Sequence, residues 1–252
     1  MKAAKARASL IPSRCAGRRN NISAQLLTHK LSEQQRQFSY IAQHLEAVYG
    51  TPSPFENLDP LDELIATILS QSTTNVNSHR AFASLKQRFP SWEQARRARP
   101  STIAAAIKSG GLANVKSVVI KSILNEIKRR RGALDLSFLK DVTTQEALSF
   151  LTSLKGVGPK TARCVLLFAC AQQVFPMDTH IFRILRRLEL LPEKCSDTQA
   201  HMLIEPLISS GQQLSLHINL IHHGRQICHP RQPQCRRCCL LEYCSYGQQQ
   251  EG

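Results

Sequence analysis

The stretch "TTQEALSFLTSLKGVGPKTARCVLLFACA", Thr143–Ala171, reads as a helix, a tight turn and a second helix. Gly156 and Gly158 permit positive φ and the close approach of another backbone. Pro159 suits the first turn of the second helix, where its missing N–H is not needed. The free N–H groups of that turn and the helix dipole make a ready anion site. Lys160 stands in the same turn. A lysine amine becomes a nucleophile, able to form a Schiff base, where desolvation and a positive helix end disfavour its charged form. The core of the stretch, "LKGVGPKTA", therefore admits three readings. It is an ordinary glycine turn, a phosphate cradle that positions a strand without reading its sequence, or the seat of a reactive amine.

Eighteen residues on, "FPMDTHIFRILRRL" places Asp178 between an apolar run and a new amphipathic helix. Asp178 is a natural N-cap, with Thr179 competing for that role, and it is also a carboxylate able to assist a nucleophile. The rest of the chain shows the same helical period. "QQRQFSYIAQHLEAVYG" aligns Phe38, Ile41, Leu45 and Val48 and stops at Gly50. "LDELIATILSQSTT" carries a stripe of Leu61, Leu64, Ile65, Ile68 and Leu69, with Asp59 or Asp62 as its start. "VNSHRAFASLKQRF", "PSTIAAAIKS" and "VKSVVIKSILNEIKRRRG" follow, each ended by Pro or Gly. Alternating β patterns are absent and no repeat period emerges. The expected fold class is all-α, an array of ten or so short helices.

The 252 residues hold 33 Lys plus Arg against 18 acids, a formal +15. Such a balance suits a polyanion, nucleic acid before an anionic membrane. No apolar run approaches a bilayer span and no secretory h-region precedes the chain, so no membrane partner is expected. That setting argues against disulfides for the nine cysteines. Residues 1–31, basic and without acids, read as a disordered tail or an organelle transit peptide.

Cys228, Cys235, Cys238 and Cys244 fall within 17 residues of "CHPRQPQCRRCCLLEYC". Four thiolates so spaced can wrap tetrahedral zinc or an iron–sulfur cubane, and spacing alone does not choose. Cys239, a ligand's immediate neighbour, is a spare thiol. His229, Arg231, Arg236 and Arg237 make the loop basic.

Taken in order, "LKGVGPKTA", "MDTHIFR" and "LIHHGRQIC" with its three later cysteines resemble the endonuclease III branch of the helix-hairpin-helix DNA glycosylases, over roughly residues 32–246. The resemblance implies two helical lobes with a DNA-binding cleft between them. Residues 59–171 would form a six-helix barrel ending in the hairpin. Residues 32–58 plus 172–246 would form a lobe carrying a [4Fe–4S] cluster on Cys228, Cys235, Cys238 and Cys244, and 247–252 a tail. It implies a base-excision-repair glycosylase with abasic-site lyase activity, acting as a monomer on duplex DNA that holds oxidised pyrimidines or abasic sites. Lys160 falls on the position of the catalytic lysine and Asp178 on that of the essential aspartate. Gly156, Val157, Gly158 and Lys160 of the hairpin and Arg236 of the cysteine loop would meet DNA. Leu112 in "GGLANVK" matches the wedge leucine.

One segment departs from the family pattern. The glutamine that fills the gap left by the flipped base is replaced by Ser72, and Gln71 stands one position earlier, a rotation of about 100° on a helix. The same resemblance leaves a mismatch glycosylase, acting on uracil or thymine opposite guanine, and a non-catalytic DNA-binding module as alternatives. The compartment would be the nucleoid in a bacterium, or the nucleus, mitochondrion or plastid in a eukaryote.

Overall fold

The computed structural model describes the backbone of residues 16–55 and 57–251 and the side chains of 32–55 and 57–250. The transit-peptide reading of the N-terminus lies largely outside these residues. Among them all regular structure is helical: α1 (Ala16–Tyr49), α2 (Pro60–Ser70), α3 (Asn75–Arg88), α4 (Trp92–Arg97), α5 (Pro100–Ala106), α6 (Ala113–Arg131), α7 (Thr144–Thr152), α8 (Pro159–Cys170), α9 (Thr179–Arg187), α10 (Asp197–Ile204), α11 (Gln213–Gln226) and α12 (Ser245–Glu251). The first helix begins before the start expected at Ser32, within the segment expected to be a tail. α12 likewise runs through residues expected to trail off. No described helix is long and apolar enough to cross a membrane.

The helices bury two separate cores. The first runs from Leu61 to Val174 and is enclosed by α2 to α8. The second joins Phe38, Ile41 and Leu45 of α1 to a run from Phe175 to Cys244. Core membership changes between Val174 and Phe175, so the barrel's last contribution lies just beyond the expected boundary at Ala171. α2 and α8 make the most extensive helix contact of the first core. α2 can do so because its stripe of Leu61, Leu64, Ile65, Ile68 and Leu69 is wholly buried. Each such side chain contributes roughly 1.5–3 kcal/mol on leaving water. Asp59, not Asp62, caps α2, its Oδ1 accepting from the N–H groups of Leu61 and Asp62, both at 2.9 Å. Asp62 instead accepts from Trp92 Nε1 at 2.6 Å and Lys86 Nζ at 2.9 Å.

The hairpin between α7 and α8 depends on Gly156. Its φ is +90°, and a Cβ there would come within 2.7 Å of Val119 Cγ1. Gly158 differs from expectation. It caps α8 with φ −90° and ψ 175°, extended backbone open to any residue. A Cβ at Gly158 would meet nothing within 4 Å, so what needs its smallness is not the folded chain.

The two cores are tied directly. Arg163 of α8 donates from Nε to Glu205 Oε1 at 2.6 Å and from Nη2 to Oε2 at 3.2 Å. The same Oε1 accepts from the Phe175 N–H at 3.0 Å, at the crossover itself.

Candidate active site and metal centre

A cavity of about 710 Å³ opens between the two cores. One wall is α2 and α3, with Glu63, Thr67, Ser70 and Ser78. Another is α8, with Lys160, Cys164 and Phe168, and the third is Asp178 with His217 and His222 of α11. Lys160 and Asp178 thus share one cavity. Lys160 is exposed on the wall. Asp178 is 8% exposed. It caps α9, its Oδ1 accepting from the Ile181 N–H at 2.9 Å. Capping occupies one oxygen only, and the other makes no hydrogen bond among the described residues.

His217 closes the cavity floor. Its Nδ1–H donates to the Pro176 carbonyl at 2.9 Å, and its ring meets Phe168 and Phe175 edge-on at 5.6 and 6.0 Å. Burial holds its pKa down at about 4, against the attraction of nearby Asp178. The imidazole is therefore neutral at neutral pH, and the Nδ1–H donor leaves Nε2 as an acceptor. The Cys164 thiol is pushed up to about 12 by burial, and it feels Lys160, Glu63 and Asp178 at once.

The loops flanking the cavity carry the other expected residues. Gln71 and Ser72 are not on a helix face, since α2 ends at Ser70. Gln71 is the C-cap and Ser72 turns left-handed at φ 53°. Their relation is set by this turn rather than by a 100° helical step. Gln71 Nε2 donates to Thr161 Oγ1 at 3.3 Å, which ties the loop to α8. Leu112 is left-handed too, at φ 50°, and 59% exposed. An exposed leucine in a conformation that L residues avoid is the kind of strain that collects at functional sites. Lys116, buried in α6, donates to the Leu69 and Gly110 carbonyls, both at 2.8 Å. Burial lowers its pKa. The hairpin contributes less than expected at Val157, whose side chain is buried and whose N–H bonds the Leu154 carbonyl at 3.0 Å. No side chain caps the α8 N-terminus.

Cys228, Cys235, Cys238 and Cys244 line one small apolar cavity of about 20 Å³, and Cys239 does not. Arg187 Nη1 donates to Cys228 Sγ at 3.0 Å. The Leu240 N–H reaches Cys238 Sγ at 3.4 Å and the Gly247 N–H reaches Cys244 Sγ at 3.3 Å. His223 Nε2 lies 3.3 Å from Cys238 Sγ. Burial pushes the Cys238 thiol up to about 12 and raises Cys244. Free thiolates are thus disfavoured here, while a metal centre would deprotonate the thiols outright. N–H donors aimed at sulfur suit thiolates bound to such a centre. Four cysteine sulfurs lining one cavity and met by these donors fit a sulfur-ligated metal centre. Arg236 is exposed on the adjacent turn.

Residues 65–209 match the family described as "HhH-GPD superfamily base excision DNA repair protein". This chain belongs to that superfamily. As a member of the HhH-GPD superfamily it is an enzyme of the DNA glycosylase class. It is 32% identical to "Endonuclease III" of Sulfolobus acidocaldarius over 220 residues, 86% of this chain and 91% of that protein. It is 41% identical over 165 residues, 66% of its length, to the Arabidopsis thaliana protein named "Putative DNA glycosylase At3g47830", of which it spans 56%. The fold is that of the structure titled "Structure of a non-covalent Endonuclease III-DNA Complex", with a TM-score of 0.73, 22% identity and coverage of 86% of this chain and 98% of that one.

Several residues of this HhH-GPD site escape sequence reasoning. Glu63 sits one helical turn from Thr67 on the cavity side of α2, a polar pair interrupting an apolar helix. His217, Arg187 and His223 are brought in from other elements, and no local pattern marks them.

Proposed function

We propose that this glycosylase removes oxidised or ring-saturated pyrimidines from duplex DNA and then nicks the strand at the resulting abasic site. What supports this reading is that Lys160 and Asp178, on different elements eighteen residues apart, line one cavity between two cores. A cavity of this volume receives a base extruded from the duplex. The Lys160 amine attacks C1′ of the sugar as the N-glycosidic bond breaks, and the base leaves with its bonding electrons and gains a proton. The free oxygen of Asp178 takes a proton from the amine and stabilises positive charge on the sugar. Ring opening yields a Schiff base. Loss of a C2′ proton then expels the 3′ phosphate, and water releases Lys160.

The uncapped start of α8 beside Gly158 would receive a backbone phosphate. Exposed Leu112 would wedge the stack, while Gln71 and Ser72 share the gap behind the extruded base. Arg236 would add phosphate contact. Cys228, Cys235, Cys238 and Cys244 would hold a [4Fe–4S] cluster, which when bound staples the second core and stiffens the basic loop.

Borohydride trapping on abasic duplex tests the central step. The wild type should give a covalent protein–DNA adduct and Lys160→Ala none. A full yield of adduct from Lys160→Ala overturns the assignment. A panel of oxidised pyrimidines against uracil and thymine opposite guanine tests the substrate class. Preference for the mismatches would replace the lesion reading. The purified protein should be brown, and a colourless, zinc-loaded native preparation would overturn the cluster.

A further inference from the structure

Glu63 lines the same cavity, and the chemistry above makes no use of it. Thr67 donates from Oγ1 to Glu63 Oε1 at 2.8 Å. Oε2 has no hydrogen-bond partner among the described residues. The carboxyl stands near the reacting groups, since the Cys164 thiol feels Glu63, Lys160 and Asp178 together. Among the described residues no cation forms an ion pair with it. Burial pushes its pKa up to about 7, and the Thr67 hydrogen bond opposes only part of that rise. Across the cavity, Phe55 and Phe168 meet edge-on at 5.5 Å and give a base an aromatic wall.

A carboxylate is an acceptor only, whereas a protonated carboxyl sets one donor beside one acceptor. A pyrimidine with an intact imide has the matching edge, a C=O beside an N–H. We propose that Glu63, as a neutral acid, hydrogen-bonds this imide edge of the extruded base and is a specificity-determining residue of the cavity. The inference rests on the reading that the cavity receives an extruded base. Glu63 donates its O–H to the base carbonyl and its own carbonyl oxygen accepts the imide N–H. Thr67 holds the carboxyl in the required rotamer. Ionisation removes the donor and sets two anionic oxygens against the base carbonyl. The other titratable or charged groups on the cavity wall are Lys160, Cys164, Asp178, His79, His217, His222 and Arg225.

The test uses duplexes holding one 5,6-dihydrouracil or its N3-methylated analogue, with base release scored in a single turnover after hot alkali. That readout does not depend on lyase activity. Cleavage of a preformed abasic duplex is measured in parallel. The wild type should favour the N3–H base by about ten- to a hundredfold. Glu63→Leu should lose that preference, and its ratio of base release to abasic-site cleavage should drop at least tenfold. Glu63→Gln, whose amide also offers donor and acceptor, should keep most of the release. It should also lack the decline that the wild type shows as pH rises through about 7.

N3-methyl discrimination that persists in Glu63→Leu overturns the proposal. So does an equal fall of base release and abasic cleavage, the mark of a merely structural role. Base release without any abasic-site cleavage by the wild type sinks the lyase reading and leaves the Glu63 comparison standing. A wild type that releases no base sinks both.

Discussion

The cleft and the cysteine cavity are built in opposite ways. The cleft is wide, and its walls come from residues as distant as Phe55 and Arg225. The cysteine cavity is small, and its four sulfurs come from one 17-residue loop. The first is framed by α2 and α8, which pack against each other in a large core. The second has little core of its own and is held from outside. Arg183 donates to the Cys228 carbonyl at 2.9 Å and the Gly224 carbonyl at 2.8 Å, and Arg187 donates to the His229 carbonyl at 2.8 Å. Both arginines belong to α9, whose N-cap is Asp178. The helix that presents the carboxylate to the cleft therefore also grips the cysteine loop.

Cutting the loop should give the largest effect. Cys238→Ser should strip the brown chromophore and lower the melting temperature by about 10 °C or more, since a structural metal centre contributes folding energy directly. Hydrogen exchange should show the loss in α9 to α12, with α2 and α8 still protected. Equal loss in both cores would break the contrast between the regions.

Next comes Asp178→Asn. Asparagine caps as well as aspartate, so the melting temperature should stay within about 2 °C. Single-turnover base release should fall by about a thousandfold, about 4 kcal/mol of transition-state stabilisation. A large stability loss without a rate loss would make Asp178 a cap and nothing more.

Arg163→Met removes the clamp between the cores and leaves the Glu205 carboxylate half-buried. Urea unfolding should show a loss of about 2 kcal/mol, with a smaller change in base release.

The mildest effect is acidification. The folded pKa of His217, about 4, lies below its ordinary 6.5, so between those values the unfolded chain takes up a proton that the folded chain refuses. Stability from this group is complete above about pH 6.5 and is lost as pH falls toward about 4. Melting curves across that range should show the slope, and His217→Phe should make it shallower, since buried His223 and His201 act in the same direction.

The sequence reveals these two regions unequally, and the reason is separation along the chain. The four-cysteine set is legible because Cys228 to Cys244 lie together and only their spacing matters. Lys160 and Asp178 are visible as candidates, but their shared cavity exists only after two cores have folded against each other. Most helices follow from apolar stripes such as that of α2. α4 and α10 are too short for a stripe, and the capping boxes of Ser91 with Gln94 and Ser196 with Gln199 are their only local signal. α11 buries His217, Asn219 and His223 beside Leu216 and Leu220, so polarity does not divide its faces. Gly158 does not take the positive φ that its sequence suggests, because a glycine with open space beside it looks, in sequence, like one that needs it.

Lys116 leaves one further consequence. Its single ammonium group holds the carbonyl before the Gln71–Ser72 turn and the carbonyl just ahead of Leu112. The two left-handed projections are thus parts of one stiff gauge rather than two independent fingers. A pair of turns held at fixed separation loses its conformational entropy once, during folding, and not again on meeting a ligand.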